Sequence, residues 1–232
     1  MVMLDLTRPV LVLEAATAAG SVALLLPNEA SRSVDVPMGA GASDGLFPAV
    51  TALLSGARLG VHDLSGVVCG AGPGSFTSLR IAAALAKGLA HGAGVPLYAL
   101  PSLALAAAAL PAGAPTGTLL VHADALRGER YALAVERGAD GVVTWSQAPA
   151  RRSIDDLRDA GLPLVSVGPA RAALASTWEC WPSAMAARLA VGVWRERPVQ
   201  LAGWEPTYGR LAEAQVKWEA SQGRPLPDLR GA

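Results

Sequence analysis

A chain of 232 residues, 52% hydrophobic and 16% charged, can bury a substantial core and lies far from the polar, highly charged profile of disordered segments. Lys plus Arg balances Asp plus Glu at 19 each, which excludes a net field able to hold a nucleic acid unaided. The two cysteines, Cys69 and Cys180, show no CxxC or Cys/His spacing, which argues against a disulfide framework or zinc site and for free buried thiols.

The first apolar run, Val10 to Leu13, follows Asp5 and Arg8 and is too short for a signal-peptide core, so a cytoplasmic location is expected. With Ser21 to Leu26 it predicts a β-hairpin turning at Ala15 to Gly20, and alternation in 33–38 predicts a third strand. Ser43 is a candidate N-cap for a helix over 44–57, whose apolar face holds Leu46, Phe47, Val50, Leu53, Leu54 and Ala57. A buried strand at 66–71 leads through a Gly-Pro-Gly turn to a helix over 77–91, stopped by Gly92 and Gly94. A strand at 95–100 and an Ala-rich helix over 102–110 follow. Residues 88–123 contain no Asp, Glu, Lys or Arg, but Pro96, Pro101, Pro111 and Pro115 divide them. They are therefore expected to be core, not a membrane span.

A second hairpin is predicted from 118–123 and 129–136, with a further strand at 142–146. Helices near 154–160 and 185–195 flank a strand at 162–167. A strand-rich opening followed by helices thus occurs twice, which predicts a two-lobed α/β protein: lobes at 8–100 and 101–222, then a flexible tail at 223–232. The duplicated order suggests the plan of actin-like ATPases.

The segment Gly70-Ala-Gly-Pro-Gly-Ser-Phe-Thr-Ser-Leu-Arg-Ile81, followed by Ala86-Lys-Gly-Leu-Ala90, closely resembles the signature of the TsaB (YeaZ) family. Residues 122–131 are similar to that family's DARxGEVY segment and 205–210 to its terminal PxYLR, so the likeness spans about residues 10 to 210. The resemblance implies the two-lobed actin-like ATPase (sugar kinase/heat-shock chaperone/actin) fold. It also implies a non-catalytic scaffold that binds and stabilises TsaD, needed for the threonylcarbamoyl group on the anticodon-loop adenosine of tRNAs reading codons that begin with adenine. The implied assembly is a TsaD heterodimer within a larger complex that includes the ATPase TsaE. A homodimer is expected in isolation, tRNA is reached through the complex, and no membrane is involved. No cofactor is expected on this chain alone; ATP or ADP is expected at the shared interface. Departures from the family pattern are Glu14 in place of Asp, Ser78 in place of Gly, Gly209 in place of Leu, and Gly41-Ala-Ser-Asp44 in place of a Glu-His pair.

The residues narrow the candidates. Gly72 and Gly74 ahead of a helix suit anion binding, yet no Lys follows as in a phosphate loop and the dinucleotide spacing fails. Ser75 lies outside GxSxG, so Ser75 and Thr77 read as helix caps instead of nucleophiles. No two of His62, His91 and His122 lie within one helical turn, so no metal pair is expected. Glu14, Gly72, Gly74, Ser75, Thr77 and Asp124 form a candidate vestigial nucleotide region. Asp124, Arg127, Glu129 and Tyr131 form a polar cluster, with an Arg127–Glu129 salt bridge as the structural reading. Arg80, Ala84, Lys87 and His91 share one side of the second helix, with small Ala84 and Gly88 open to close helix approach. These four, with Leu46, Phe47, Val50 and Leu54, are the candidate partner-binding residues. The alternative is an independent ATP-dependent or peptidase-like enzyme of the actin-like superfamily.

Overall fold

The computed structural model describes residues 4–27, 29–39, 45–125, 128–168, 174, 178–191, 197–208 and 221–223. The predicted Ser43 cap, Arg127, Gly209, residues 41–44, the end of the 185–195 helix and most of the tail lie outside the described residues.

Two mixed sheets make up the frame, and each follows the same winding. In the first, β1 (Val10–Glu14) pairs antiparallel with β2 (Ala19–Leu25), which pairs with β3 (Arg32–Pro37). On its other side β1 runs parallel to β4 (Gly66–Gly70), and β4 to β5 (Leu97–Leu100). In the second, β6 (Gly117–Asp124) pairs antiparallel with β7 (Arg130–Arg137), which pairs with β8 (Val143–Thr144) and β9 (Ala150–Arg152). On its other side β6 runs parallel to β10 (Leu164–Val167), and β10 to β11 (Trp178–Cys180). The orders β3-β2-β1-β4-β5 and β8-β7-β6-β10-β11 are thus the same pattern used twice, the duplicated plan of the actin-like fold.

The inner strands β1, β2 and β4 read as apolar runs because they are covered on both faces, whereas edge strand β3 is exposed over most of its length. Along β1, Val10 and Val12 face the core between the sheets, while Leu11 and Leu13 face a second core outside. That outer core is roofed by α1 (Leu46–Gly56) and α2 (Phe76–Ala93), which lie side by side, α1 over β2 and β3 and α2 over β1, β4 and β5. Between the sheets, α3 (Ser102–Ala108) is wholly buried and packs on the second sheet, whereas the 3-10 turn Ala184–Arg188 packs on the first. The 3-10 turn thus crosses from the expected second lobe to the first lobe's sheet, while α3 stays on the sheet of its own expected lobe. Outside the second sheet, α4 (Ile154–Asp159) covers a smaller cluster through Leu157.

Three expectations need correction. Residues 185–191 are not α-helical: the Val143 N–H donates to the Leu189 carbonyl at 2.8 Å and the Val191 N–H to the Val143 carbonyl at 2.9 Å, so the sheet edge takes the backbone groups a helix would use. Gly92 lies inside α2; Gly94 alone ends it, at φ 68°, with its N–H on the Ala90 and His91 carbonyls. Ser75 occupies the N-cap position but makes no side-chain cap, and Thr77 is exposed within the first turn. The Ser78 hydroxyl donates to the Ser75 hydroxyl at 3.0 Å and lies 3.3 Å from the Met38 carbonyl, so the departure at position 78 ties α2 to the end of β3. No described helix is long and apolar enough to cross a membrane.

Residues 197–208, within the range expected for the second lobe, return to the first. The Val199 N–H donates to the Leu97 carbonyl at 2.8 Å, beside edge strand β5, and Val199, Leu201 and Trp204 pack on the outer core. This strap covers an edge that would otherwise present unpaired backbone groups.

Candidate functional site

The carboxyl ends of the parallel strands are where this kind of sheet places its sites, and a cleft of about 300 Å³ opens there between the halves. The β1–β2 turn supplies Ala16, Thr17 and Ala18, and the loop before α2 supplies Pro73, Gly74 and Ser75. Ser102 and Leu103 open α3, while Ala123, Asp124, Tyr131, Val167 and Pro182 come from the second half. Among these lining residues none is Lys, Arg, His or Cys.

Glu14 lies directly behind the cleft. It ends β1 on the inner face, beside Gly70 at the end of the parallel neighbour β4. Its carboxylate accepts from the Ala16 N–H at 2.6 Å and from the Ser102 hydroxyl at 2.9 Å, and the Gly72 N–H donates to the Ser102 oxygen at 3.1 Å. The chain Glu14–Ser102–Gly72 thereby fixes the glycine loop against α3. The loop's glycines are sterically required: a Cβ on Gly74 would come within 2.2 Å of the Ala16 carbonyl oxygen, and Gly72 has φ 79°.

Glu14 is fully buried, and burial pushes its carboxyl up to about 7, against the opposing pull of its hydrogen bonds to Ala16, Ser102 and Ala15. The folded protein holds this proton more tightly than the unfolded chain, so the associated stability is complete below about pH 4.5 and is lost as pH rises to about 7. A shift of this size is worth about 3 kcal/mol at most. The wild-type protein is expected to lose stability over that window relative to Glu14→Gln, which cannot ionise, with the difference level above it. Urea midpoints that follow parallel pH profiles in the two proteins would contradict a proton-binding Glu14.

Asp124, at the end of β6, lies 3.6 Å from the Arg130 guanidinium across the β6–β7 register. Arg130 is buried and also donates to His122 Nδ1 at 3.2 Å. Burial, then the neighbouring Arg130 charge, lowers the His122 imidazole to about 4, so it stays neutral near pH 7. Glu129 faces Arg151 at 3.5 Å, and Arg151 lies 6.0 Å over the Tyr131 ring. The expected Arg127–Glu129 bridge has its first partner outside the described residues; Arg130, not among the expected members, holds the centre of this cluster. Its signal was a cation at a position of β7 whose parity points off the inner core.

Of the vestigial region, Gly74, Ser75 and Asp124 line the cleft, and Glu14 and Gly72 support it. Thr77 does not join them. Ser102, also missed, was legible only as the first residue of a helix after Pro101.

On the outer helices, Arg80, Ala84 and His91 are exposed along one side of α2, and Lys87 is half-buried beside them. Gly88 and Gly92 are exposed on the same side, leaving a shallow surface. On α1, Phe47 is 61% exposed, whereas Leu46, Val50 and Leu54 are at 1%, 2% and 7%. These last three were expected to bind a partner; they are committed to the lobe's own core and offer no outer surface.

Comparison with known proteins adds to this geometry. The family model described as TsaD: tRNA N6-adenosine threonylcarbamoyltransferase matches residues 41–159. An uncharacterized protein of Mycobacterium tuberculosis is 34% identical over 172 residues, covering 73% of this chain and 75% of that protein. The tRNA threonylcarbamoyladenosine biosynthesis protein TsaB of Escherichia coli is 27% identical over 141 residues, covering 59% and 58%. Among solved structures, YeaZ from Pseudomonas aeruginosa superposes with a TM-score of 0.70 at 22% identity, covering 87% of this chain and 99% of that one. At that identity the superposition speaks for the fold alone.

Proposed function

The chain belongs to the TsaB (YeaZ) family, and on that premise we propose that it is a non-catalytic subunit in the biosynthesis of tRNA threonylcarbamoyladenosine. Its role is to bind and stabilise TsaD through the outer faces of α1 and α2. A TsaE-like ATPase joins the larger complex, ATP or ADP sits at the shared interface, and tRNA reaches the chain through the complex in the cytoplasm. Alone, the chain uses the same surface to form a homodimer.

The observation that carries this reading is the outer side of α2. Ala84, Gly88 and Gly92 place almost nothing above the helix backbone, with Arg80 and His91 beside them, and Phe47 stands exposed on α1, the neighbouring helix of the same face. Small residues let a second helix approach closely, and an exposed aromatic ring supplies apolar area to bury. The cleft supports a non-catalytic role: Asp124, the acidic side chain lining it, is already engaged with Arg130, and Ser75 hydrogen-bonds to Ser78. The hydroxyl–carboxylate pair at the cleft, Ser102 with Glu14 behind it, also accepts from the Gly72 N–H and so braces the glycine loop; an independent enzyme of the peptidase or ATP-dependent kind finds no Lys, Arg, His or Cys among the described lining residues to complete a catalytic set.

The test is association. Mixed with TsaD from the same organism, the purified chain is expected to elute as a heterodimer in gel filtration. Separate elution of the two at micromolar concentration would overturn the reading.

A further inference from the structure

Thr207 and Tyr208 of the strap reach the start of α2. The Thr207 N–H donates to the Ala71 carbonyl at 2.8 Å, and the Thr207 carbonyl oxygen lies where a Cβ on Gly72 would come within 2.4 Å of it. A side chain at position 72 would push the strap away; glycine lets the two backbones meet. With Val199 anchored on Leu97 at its other end, the strap delivers Tyr208 to a fixed place. There its ring packs on Phe76, the first residue of α2, with centroids 4.6 Å apart and planes tilted by 52°. Arg80, one turn further along the helix, holds its guanidinium carbon 5.5 Å from the Phe76 ring centre.

These three side chains form a continuous stack running from the strap to the exposed side of α2. An exposed arginine samples many rotamers, and ordering it on binding costs free energy. A ring beneath the guanidinium restricts it beforehand, and a second ring behind the first stops that platform from turning. We propose that Tyr208 is a positioning residue for the partner surface: through Phe76 it preorganises Arg80 for an acidic or carbonyl-rich group on the protein that covers α2. The inference rests on the reading of α2 as the face that binds TsaD.

The experiment is a calorimetric titration of TsaD with the full-length wild-type chain and with Tyr208→Ala, Tyr208→Phe, Arg80→Ala and the Tyr208→Ala/Arg80→Ala double variant, each checked by its thermal melt. Loss of the ring is expected to weaken affinity about fivefold, in the range such ring and cation contacts supply. Tyr208→Phe, which keeps the ring, is expected to stay within about twofold of wild type. Arg80→Ala should weaken binding, and Tyr208→Ala should add nothing further in its presence, because both act through one group. Should Tyr208→Ala fail to fold, Tyr208→Leu keeps the apolar cover without the ring. Additive losses would overturn the positioning role, as would Tyr208→Phe failing like Tyr208→Ala. Wild-type affinity in folded Tyr208→Ala beside a weakened Arg80→Ala would overturn it too, while leaving α2 as the interface. Wild-type affinity in all the variants overturns the inference, and no association even by the wild-type chain overturns the reading beneath it.

Discussion

Ala84→Glu is expected to abolish binding to TsaD while leaving the chain folded. Ala84 is exposed midway along α2, between Arg80 and Gly88 on the side that carries no core contact. On a solvated helix the exchange costs well under about 1 kcal/mol, because both residues are good helix formers. In a close helix contact the same carboxylate would be buried without a partner, at a cost of several kcal/mol, and about 1.4 kcal/mol is a factor of ten in affinity. The expected loss is therefore more than about 100-fold, with an unchanged melting temperature. A folded Ala84→Glu protein that binds TsaD as tightly as wild type would show that this side of α2 faces solvent in the complex.

Gly70→Ala should be strongly destabilising. The added methyl would lie 1.9 Å from Glu14 Oε2 and 2.7 Å from its Cδ, with the Ser102 oxygen at 3.1 Å. A flexible surface carboxylate would swing aside, but Glu14 is fully buried and held by the Ala16 N–H and the Ser102 hydroxyl. Making room means breaking those bonds and stranding a buried polar group, on top of overpacking. Together these cost about 4 kcal/mol or more. Denaturant unfolding should show this loss, and adding Glu14→Ala should recover part of it, because the obstruction goes with the side chain. Wild-type stability in Gly70→Ala, or further loss in the double variant, would contradict the close contact.

The same pair shows what the sequence could and could not reveal. Alternation and apolar runs located β1, β4 and both hairpins, since a sheet buried on both faces leaves that pattern in any single strand. That Glu14 meets Gly70 depends on the parallel register of two distant strands, which no local pattern encodes. Phe76 and Tyr208 meet for the same kind of reason, through the returning strap. The three-residue strands β9 and β11 owe their conformation to β7 and β10 beside them, so they escaped a reading by propensity. Of the apolar face expected on α1, Leu46, Val50, Leu53 and Leu54 share one buried side but Phe47 does not, and periodicity cannot say whether such a face meets the chain's own core or a partner. Leu46, Val50 and Leu54 met the core, and only Phe47, offset from them around the helix, points outward.

The measurement that bears most directly on the proposed role is threonylcarbamoylation of tRNA reconstituted from TsaD, TsaE and the enzyme that forms the threonylcarbamoyl-adenylate donor, with this chain present or omitted. Modified adenosine is expected to accumulate only when the chain is present, and the chain alone is expected to form none. Equal product in its absence would contradict a required scaffold, and product formed by the chain without TsaD would contradict its being non-catalytic.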